Sequence, residues 1–363
     1  MQSSPRSSQE LDLQPGIFLA LNNTTAQTLW ERLSHGEYIT RTLTWLNCMS
    51  GRIGSPESIV TGRDGAMVSY DLMEPSPYRA FDPAGKDGRT SDYPALGCAI
   101  PNAYMAGYVG EDVTEPLQTW INHGRNNYRT RGVLNVELSK AGKVRDLLVQ
   151  AGYVEYLSGA QGILDLPNGP ESYLGELTAR HRRRARKEMR IFKSAGFDVR
   201  ALEVTDFNED LAQLQLDTYA RHGFAGGSTD HVMRSHEKAI EDFGDSYGIL
   251  VATGPDDSPA GFLSFIRGES SAQPRHLGII QTQQARSAGL YFNLAYYALI
   301  RHLQGTAVKT INYGPEALKV KKLRGCRIEP MVNFISTDSQ EVHDYWAQRD
   351  LQVRGDLTQL GAH

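Results

Sequence analysis

The sequence predicts an α/β chain built on a mixed sheet and divided into two lobes. Three observations lead there. Helix-period and strand-period segments alternate through both halves. The segment Leu166-Pro-Asn-Gly-Pro170 interrupts both periodicities. The length of 363 residues, 40% hydrophobic and 22% charged, is ordinary globular material for about two domains. The expected division is a flexible tail over 1–15, one lobe over 16–168 and a second over 169–363.

In the first half, Thr24 or Thr25 can cap a helix carrying Leu29, Trp30 and Leu33, and a second helix runs near Ile39 to Met49. Ser58–Thr61, a turn at Arg63-Asp64-Gly65 and Met67–Met73 read as a β-hairpin. Glu74 to Gly97, rich in Pro, Gly and Asp, reads as loop. Thr114-Glu-Pro opens a helix with a capping threonine and an early proline. Val133–Leu138 is then a strand, Lys143–Gln150 a helix closed by Gly152, and Val154–Leu166 an extended piece.

The second half restarts with a long helix from about Glu171 to Ser194, stopped by Ala195-Gly196. Phe197–Val204 reads as a strand, Asp206–Arg221 and Asp230–Phe243 as helices, and Tyr247–Thr253 with Gly261–Arg267 as a hairpin. A strand at His276–Gln281, a helix after Gly289, and strands at Val308–Tyr313 and Arg327–Ser336 complete the unit.

Composition removes several classes of function. A net charge of −4 gives no global attraction to nucleic acid, so such contact needs a local patch. Cys48, Cys98 and Cys326 lie far apart with no Cys-x-x-Cys pair, which argues against a disulfide framework and a zinc ribbon. No metal-ligand set, Ser-His-Asp order or Walker loop is present, so no bound cofactor or metal is expected. The first residues lack the apolar core of a secretory signal, and no apolar run approaches the roughly 18–20 residues that span a bilayer. The expectation is a cytoplasmic protein without a membrane partner.

The chemistry concentrates in 286–325. Arg286-Ser-Ala-Gly289-Leu-Tyr291 opens a helix carrying Tyr296, Asn312-Tyr313-Gly314-Pro315-Glu316 ends a β-segment at a Gly-Pro corner, and Lys321 follows seven residues after Gly314 and four before Gly325. This order resembles the second half of the tandem GNAT-like proteins. That group includes the Fem-type aminoacyltransferases of peptidoglycan synthesis and their relatives in natural-product pathways. The resemblance implies two tandem GNAT-like lobes and acyl or aminoacyl transfer to an amine. The first half follows a weaker version of the same succession, so an internal duplication is expected, although no fixed sequence period shows it.

GNAT acetyltransferases commonly carry Gln/Arg-x-x-Gly-x-Gly/Ala, whose backbone N–H groups hold the coenzyme A pyrophosphate at a helix start. Arg286 and Gly289 fit, but Tyr291 stands at the sixth position, where a phenol crowds a pyrophosphate. Fem-type enzymes have likewise lost the full loop, and their donor is aminoacyl-tRNA. The resemblance therefore implies aminoacyl-tRNA as co-substrate, with acyl-CoA or an acyl carrier protein as the alternative donor. The plainer reading is that Gly289 permits a tight turn and Tyr291 packs.

Lys319, Lys321, Lys322, Arg324 and Arg327 place five cations in nine residues, a local field suited to phosphate. In the related family the lysine at the position of Lys321 lies near the donor and supplies positive charge. A solvated basic loop is the other reading. The stretch Arg180–Lys193 carries eight Lys or Arg against Glu188 alone. With Tyr173, Leu177, His181, Ala185, Met189 and Phe192 facing a core, Arg182, Arg183, Arg186, Lys187 and Arg190 turn outward and suit an RNA backbone, or else glue the lobes together.

The resemblance also implies that the helix and loop from Tyr219 to His231 shape the acceptor pocket, joined by Tyr296 if it points inward. His222 or His231 can take a proton from an incoming ammonium, and Tyr313, or Tyr296 if it points inward, can donate a hydrogen bond to a developing oxyanion. The expected acceptor is a natural-product intermediate or a cell-wall peptide amine. A catalytically idle RNA- or ligand-binding relative is the rival from another class.

Overall fold

In a computed structural model of the chain, the described residues are 16–34, 39–49, 58–72, 95–100, 103, 105–223 and 227–361. The tail 1–15, nearly all of the expected 74–97 loop and the loop tip 224–226 lie outside them. The chain forms two compact units, one chiefly Arg41–Ser158 with Met331–Asp356, the other chiefly Gly159–Pro330.

The first unit contains β1 (Phe18–Ala20), α1 (Thr24–Ser34), α2 (Leu43–Met49), β2 (Ser58–Thr61), β3 (Gly65–Leu72), β4 (Ala95–Cys98), β5 (Tyr108–Gly110), α3 (Thr114–Asn127), β6 (Thr130–Glu137), α4 (Gly142–Gln150) and the start of β7 (Val154–Asp165). Asn23, not a threonine, caps α1, its side-chain oxygen accepting from the backbone N–H of Thr25 and Ala26. The strands lie in the order β1-β2-β3-β4-β6, with β5 also on β3. All pairs are antiparallel except β4 with β6. The end of β13 (Arg327–Thr337) completes this sheet, Met331–Thr337 pairing with β6. Ala95–Gly97, expected as loop, is strand because these three apolar or small residues and Cys98 are buried beside β6.

The second unit takes the same succession again: α5 (Tyr173–Glu176), α6 (Ala179–Ser194), β8 (Asp198–Leu202), α7 (Glu209–Arg221), α8 (Thr229–Phe243), β9 (Tyr247–Thr253), β10 (Pro259–Arg267), β11 (Ser271–Ile279), a helical run, β12 (Thr310–Asn312) and α12 (Leu318–Lys322). Its strand order is β8-β9-β10-β11-β12-β7. Only β11 with β12 is parallel, matching β4 with β6 in the first unit. The division between the units falls inside β7 and β13: residues 159–165 of β7 belong to the second unit and residues 331–337 of β13 to the first. The segment 166–170, expected at the lobe boundary, leads from β7 into a helical turn at Pro170–Ser172 within the second unit.

Three local departures have clear causes. The expected helix over 171–194 breaks at Leu177, which is extended, and Thr178 caps α6 by accepting from the backbone N–H of His181. β11 starts five residues before the expected strand because Ala272 and Gln273 are buried on β10 and β12. The C-terminal stretch, for which no element was expected, is α13 (Gln340–Leu360), burying Val342, Trp346, Val353 and Leu357 at helical spacing.

The second sheet has two distinct faces. Phe262 meets Phe207 and His236 on the α7–α8 side. There Gly278 admits the backbone of α7, since a Cβ would lie 2.8 Å from the Gln215 nitrogen. Leu263 and Phe265, alternating with Phe262 along β10, pack instead with Phe192, Leu294 and Tyr296.

Candidate active site

β11 and β12 share only the register pairs Ser271–Thr310 and Ala272–Ile311. Beyond them, β11 continues along β10 to Ile279, while the β12 side continues along β7, the Tyr313 N–H donating to Gly162 and the Gly162 N–H to Gly314. The two strands therefore part into a fork whose β12 prong ends at Tyr313 and Gly314.

Lys321 stands at that prong. Gly314 turns the chain at φ +75°, Ala317 holds the entry to α12 at φ +52°, and α12 carries Lys321 back toward β7. The side chain is 4% exposed, and Nζ donates to the carbonyl oxygens of Tyr313 at 2.6 Å and Gly314 at 2.8 Å. Burial lowers its pKa to about 8, with Cys326 and Glu316 pulling the other way. Gly325, at φ +88° and with no room for a Cβ beside Leu177, then turns the chain into β13.

The Tyr313 ring stacks on Tyr296 at 4.4 Å between centroids and 19° between planes. Its hydroxyl is buried without a hydrogen-bond partner among the described residues, which costs roughly 1–3 kcal/mol unless a bound group satisfies it. Desolvation holds this phenol well above its usual pKa, so it is a proton donor at neutral pH.

The helical run after β11 explains why Tyr296 points inward. It begins as α9 (Gln283–Ser287), before the expected start, passes Gly289 at φ +68°, resumes as α10 (Leu290–Phe292), widens into a π-helical turn at Asn293–Ala298 and ends as α11 (Leu299–His302). The wide turn lets the consecutive residues Tyr296 and Tyr297 both face the core.

The five cations do not form one field. Arg324 is 4% exposed, pairs with Glu188 at 2.9 Å, and lies 3.4 Å from the Phe292 ring centroid. Arg327 pairs with Asp165 and Glu329, and Lys322 donates to the Leu360 carbonyl. Lys319 is exposed, while Lys321 is buried. Each cation leaves the loop in its own direction, so phosphate binding by Arg324 has no support in its geometry.

On α6, Arg183, Arg186, Lys187 and Arg190 are exposed, as expected. Arg182 is not part of that face: its Nη2 donates to the carbonyls of Gly175 and Leu177, closing the break before α6. Arg286 is exposed and folds back on the Gln281 carbonyl. Tyr291 is half-buried, with its ring edge-on to Phe292 and Tyr296.

The expected acceptor residues are not gathered in one place. Tyr219 lies on the α7–α8 side with its hydroxyl 2.6 Å from His276 Nδ1, whereas Tyr296 is fully buried on the opposite side of the sheet. His222 ends α7 and His231 sits in the first turn of α8, and both are exposed.

Sequence reasoning passed over Glu188, Gly162 and the buried polar residues on the α7–α8 side. Glu188 accepts from Tyr297 and Arg324 by its carboxylate and from Asn293 by its backbone carbonyl. A lone acid in a run of eight cations was the available signal.

No family model and no curated protein matches the sequence. Solved structures do match. FemX aligns with a TM-score of 0.62 at 10% identity, covering 90% of this chain and 99% of that chain. The C-terminal DUF2156 domain of an Agrobacterium fabrum protein assigned as a lysylphosphatidylglycerol synthetase aligns with a TM-score of 0.55 at 10% identity, covering 90% and 96%. A conserved protein of unknown function from Bacteroides thetaiotaomicron VPI-5482 gives 0.51 at 12% identity, covering 80% and 89%. At such identities the likeness establishes architecture alone: the chain has the fold of FemX, with one succession of elements repeated in its two units.

Proposed function

We infer that this chain is an amide-forming transferase that moves an aminoacyl group from aminoacyl-tRNA to an amine. The observation that carries the reading is Lys321, a buried ammonium pinned by the Tyr313 and Gly314 carbonyls at the prong of the strand fork, Tyr313 being the residue whose hydroxyl is buried without a partner among the described residues. An aminoacyl ester is already activated, so the protein must chiefly align the reactants and stabilise charge.

The amine nitrogen bonds to the ester carbonyl carbon, and the carbonyl oxygen becomes an oxyanion. Tyr313 donates a hydrogen bond to it and Lys321 supplies positive charge. The ammonium gives one proton to solvent before attack; collapse then breaks the ester C–O bond, and the second proton lost by the nitrogen ends on the ribose oxygen that leaves. Arg183, Arg186, Lys187 and Arg190 hold tRNA phosphates. Tyr291 at the sixth position of the pyrophosphate loop favours the tRNA ester over acyl-CoA. The shared fold with FemX and with the C-terminal domain of a protein assigned as a lysylphosphatidylglycerol synthetase supports acyl or aminoacyl transfer in general.

The test is incubation of the purified protein with total charged tRNA and a panel of amines, measuring amine-dependent deacylation. Ribonuclease should abolish transfer, and removal of coenzyme A should not. Transfer that follows acyl-CoA and survives ribonuclease, or a large thermal stabilisation by coenzyme A, would assign the acyl-CoA reaction instead.

A further inference from the structure

The turn that presents two carbonyls to Lys321 is itself held by a side chain. Asn312, 1% exposed at the end of β12, accepts the Gly314 backbone N–H on Oδ1 at 2.8 Å. An asparagine oxygen bonded to the N–H two residues on closes an Asx turn. Its Nδ2 donates to Oε1 of Gln161, fully buried on β7, at 2.9 Å.

The chemistry of the groups fixes which way this amide faces. A backbone N–H can only donate, so the atom opposite Gly314 is the Asn312 oxygen, and the amide nitrogen is left for Gln161. Two backbone bonds anchor the same turn to β7: the Tyr313 N–H donates to the Gly162 carbonyl and the Gly162 N–H to the Gly314 carbonyl, both at 2.9 Å. The Gly314 carbonyl therefore receives two donors, the Gly162 N–H and Lys321 Nζ. Gly314 stands at φ +75°, and a glycine has wide conformational freedom that its contacts must remove.

We propose that Asn312 is a positioning residue for the transfer reaction: it fixes the Gly314 turn so that the Tyr313 and Gly314 carbonyls converge on the Lys321 ammonium. This rests on the transferase reading above. Carbonyls bonded to the charged form of a lysine favour that form, so the Asn312 turn offsets part of what burial costs the ammonium. Cys326, from the turn into β13, and Glu316, from the turn before α12, also favour the charged lysine. Neither bonds to Asn312, and β7 faces the lysine stem with Gly162, which has no charge to contribute.

The test reads Lys321 directly and needs no turnover. NMR titration of lysine-labelled protein, with the signal assigned by its loss in Lys321→Met, gives the lysine's own pKa. In Asn312→Ala it should fall by about one unit, a tenfold change in proton affinity. In Asn312→Asp, which keeps an oxygen for the Gly314 N–H, it should lie at or above the wild-type value. A lower Tm in Asn312→Ala with the Lys321 pKa unchanged would make Asn312 a structural residue only and overturn the proposal. Should Asn312→Ala fail to fold, Asn312→Asp decides, and a Lys321 pKa below wild type there overturns it.

In the charged-tRNA assay Lys321 acts as a cation, so turnover falls as pH rises through its pKa. That alkaline limb should move down with the NMR value in Asn312→Ala, with KM for the amine little changed. A limb that stays fixed while the NMR value moves would separate Asn312 from turnover and refute the assignment. If the protein transfers nothing, the transferase reading fails while the NMR shifts still show whether Asn312 sets the Lys321 ammonium.

Discussion

Gly162 and Lys321 divide one space between them: a Cβ on Gly162 would lie 2.6 Å from Lys321 Cδ and 3.0 Å from its Cβ. The glycine on β7 thus admits the lysine stem that brings Nζ to the Tyr313 and Gly314 carbonyls. Gly162→Ala should destabilise by about 1–3 kcal/mol through overpacking. In a Lys321→Ala background the cost should shrink, with a coupling of about 1 kcal/mol or more measured by denaturant unfolding. The same cost in both backgrounds would locate the clash elsewhere.

Lys321→Ala should lower transferase turnover at least about tenfold, about 1.4 kcal/mol of transition-state stabilisation. Lys309→Ala, at an exposed position outside the glycine-spaced segment, should match wild type. Parallel loss in both variants, or in neither, would detach Lys321 from catalysis.

Lys321 also makes stability depend on pH. Its folded pKa of about 8 lies below the ordinary 10.5, so between these values the unfolded chain binds more protons. The lysine therefore opposes folding fully below about pH 8, and the penalty is relieved as pH rises toward 10.5, by up to roughly 3 kcal/mol. Unfolding free energies of wild type minus Lys321→Met should rise with pH across this window. A flat difference would mean that the ammonium is well solvated.

Glu188 holds Arg324 at 2.9 Å, and both are largely buried, at 19% and 4% side-chain exposure. Glu188→Ala leaves a buried guanidinium without its counter-charge and should cost about 3–5 kcal/mol. Adding Arg324→Leu should recover part of that loss, read as a rise in Tm over the single variant. If the double variant is less stable than Glu188→Ala, Arg324 is held by its aromatic and carbonyl contacts rather than by the pair.

The exposed face of α6 predicts a salt dependence. With Arg183, Arg186, Lys187 and Arg190 on phosphates, tRNA affinity should fall with a log–log slope of about −3. Changing Arg186 and Arg190 to Gln should flatten it by about 1.5 units without altering which tRNA is preferred. A full slope combined with lost thermal stability would make these arginines packing residues.

The order of elements in the second half was legible because local periodicity and turn chemistry act over a few residues. The β9–β10 hairpin, α7, α8 and the glycine-framed position of Lys321 all follow from spacing. The direction of each cation after Gly314 was not legible. Arg324 and Lys319 look alike in a charge run, yet one is paired on Glu188, 136 residues away in sequence, and the other is exposed. The single acid in the α6 run marked an exception, but not its partner.

The sequence by itself therefore determined the succession of helices and strands, the tandem character and the glycine-framed segment that carries Lys321. Only the tertiary structure decided that β7 pairs with β12 and β13 with β6, because strand partners are chosen by long-range pairing and burial. It likewise decided that Tyr219 and Tyr296 stand on opposite sides of one sheet, that Tyr219 meets His276 and that His236 meets Gln215. Hydrogen-bond partners far apart in the chain leave no periodic trace, since a buried polar side chain is satisfied by whatever group the fold brings within about 3 Å.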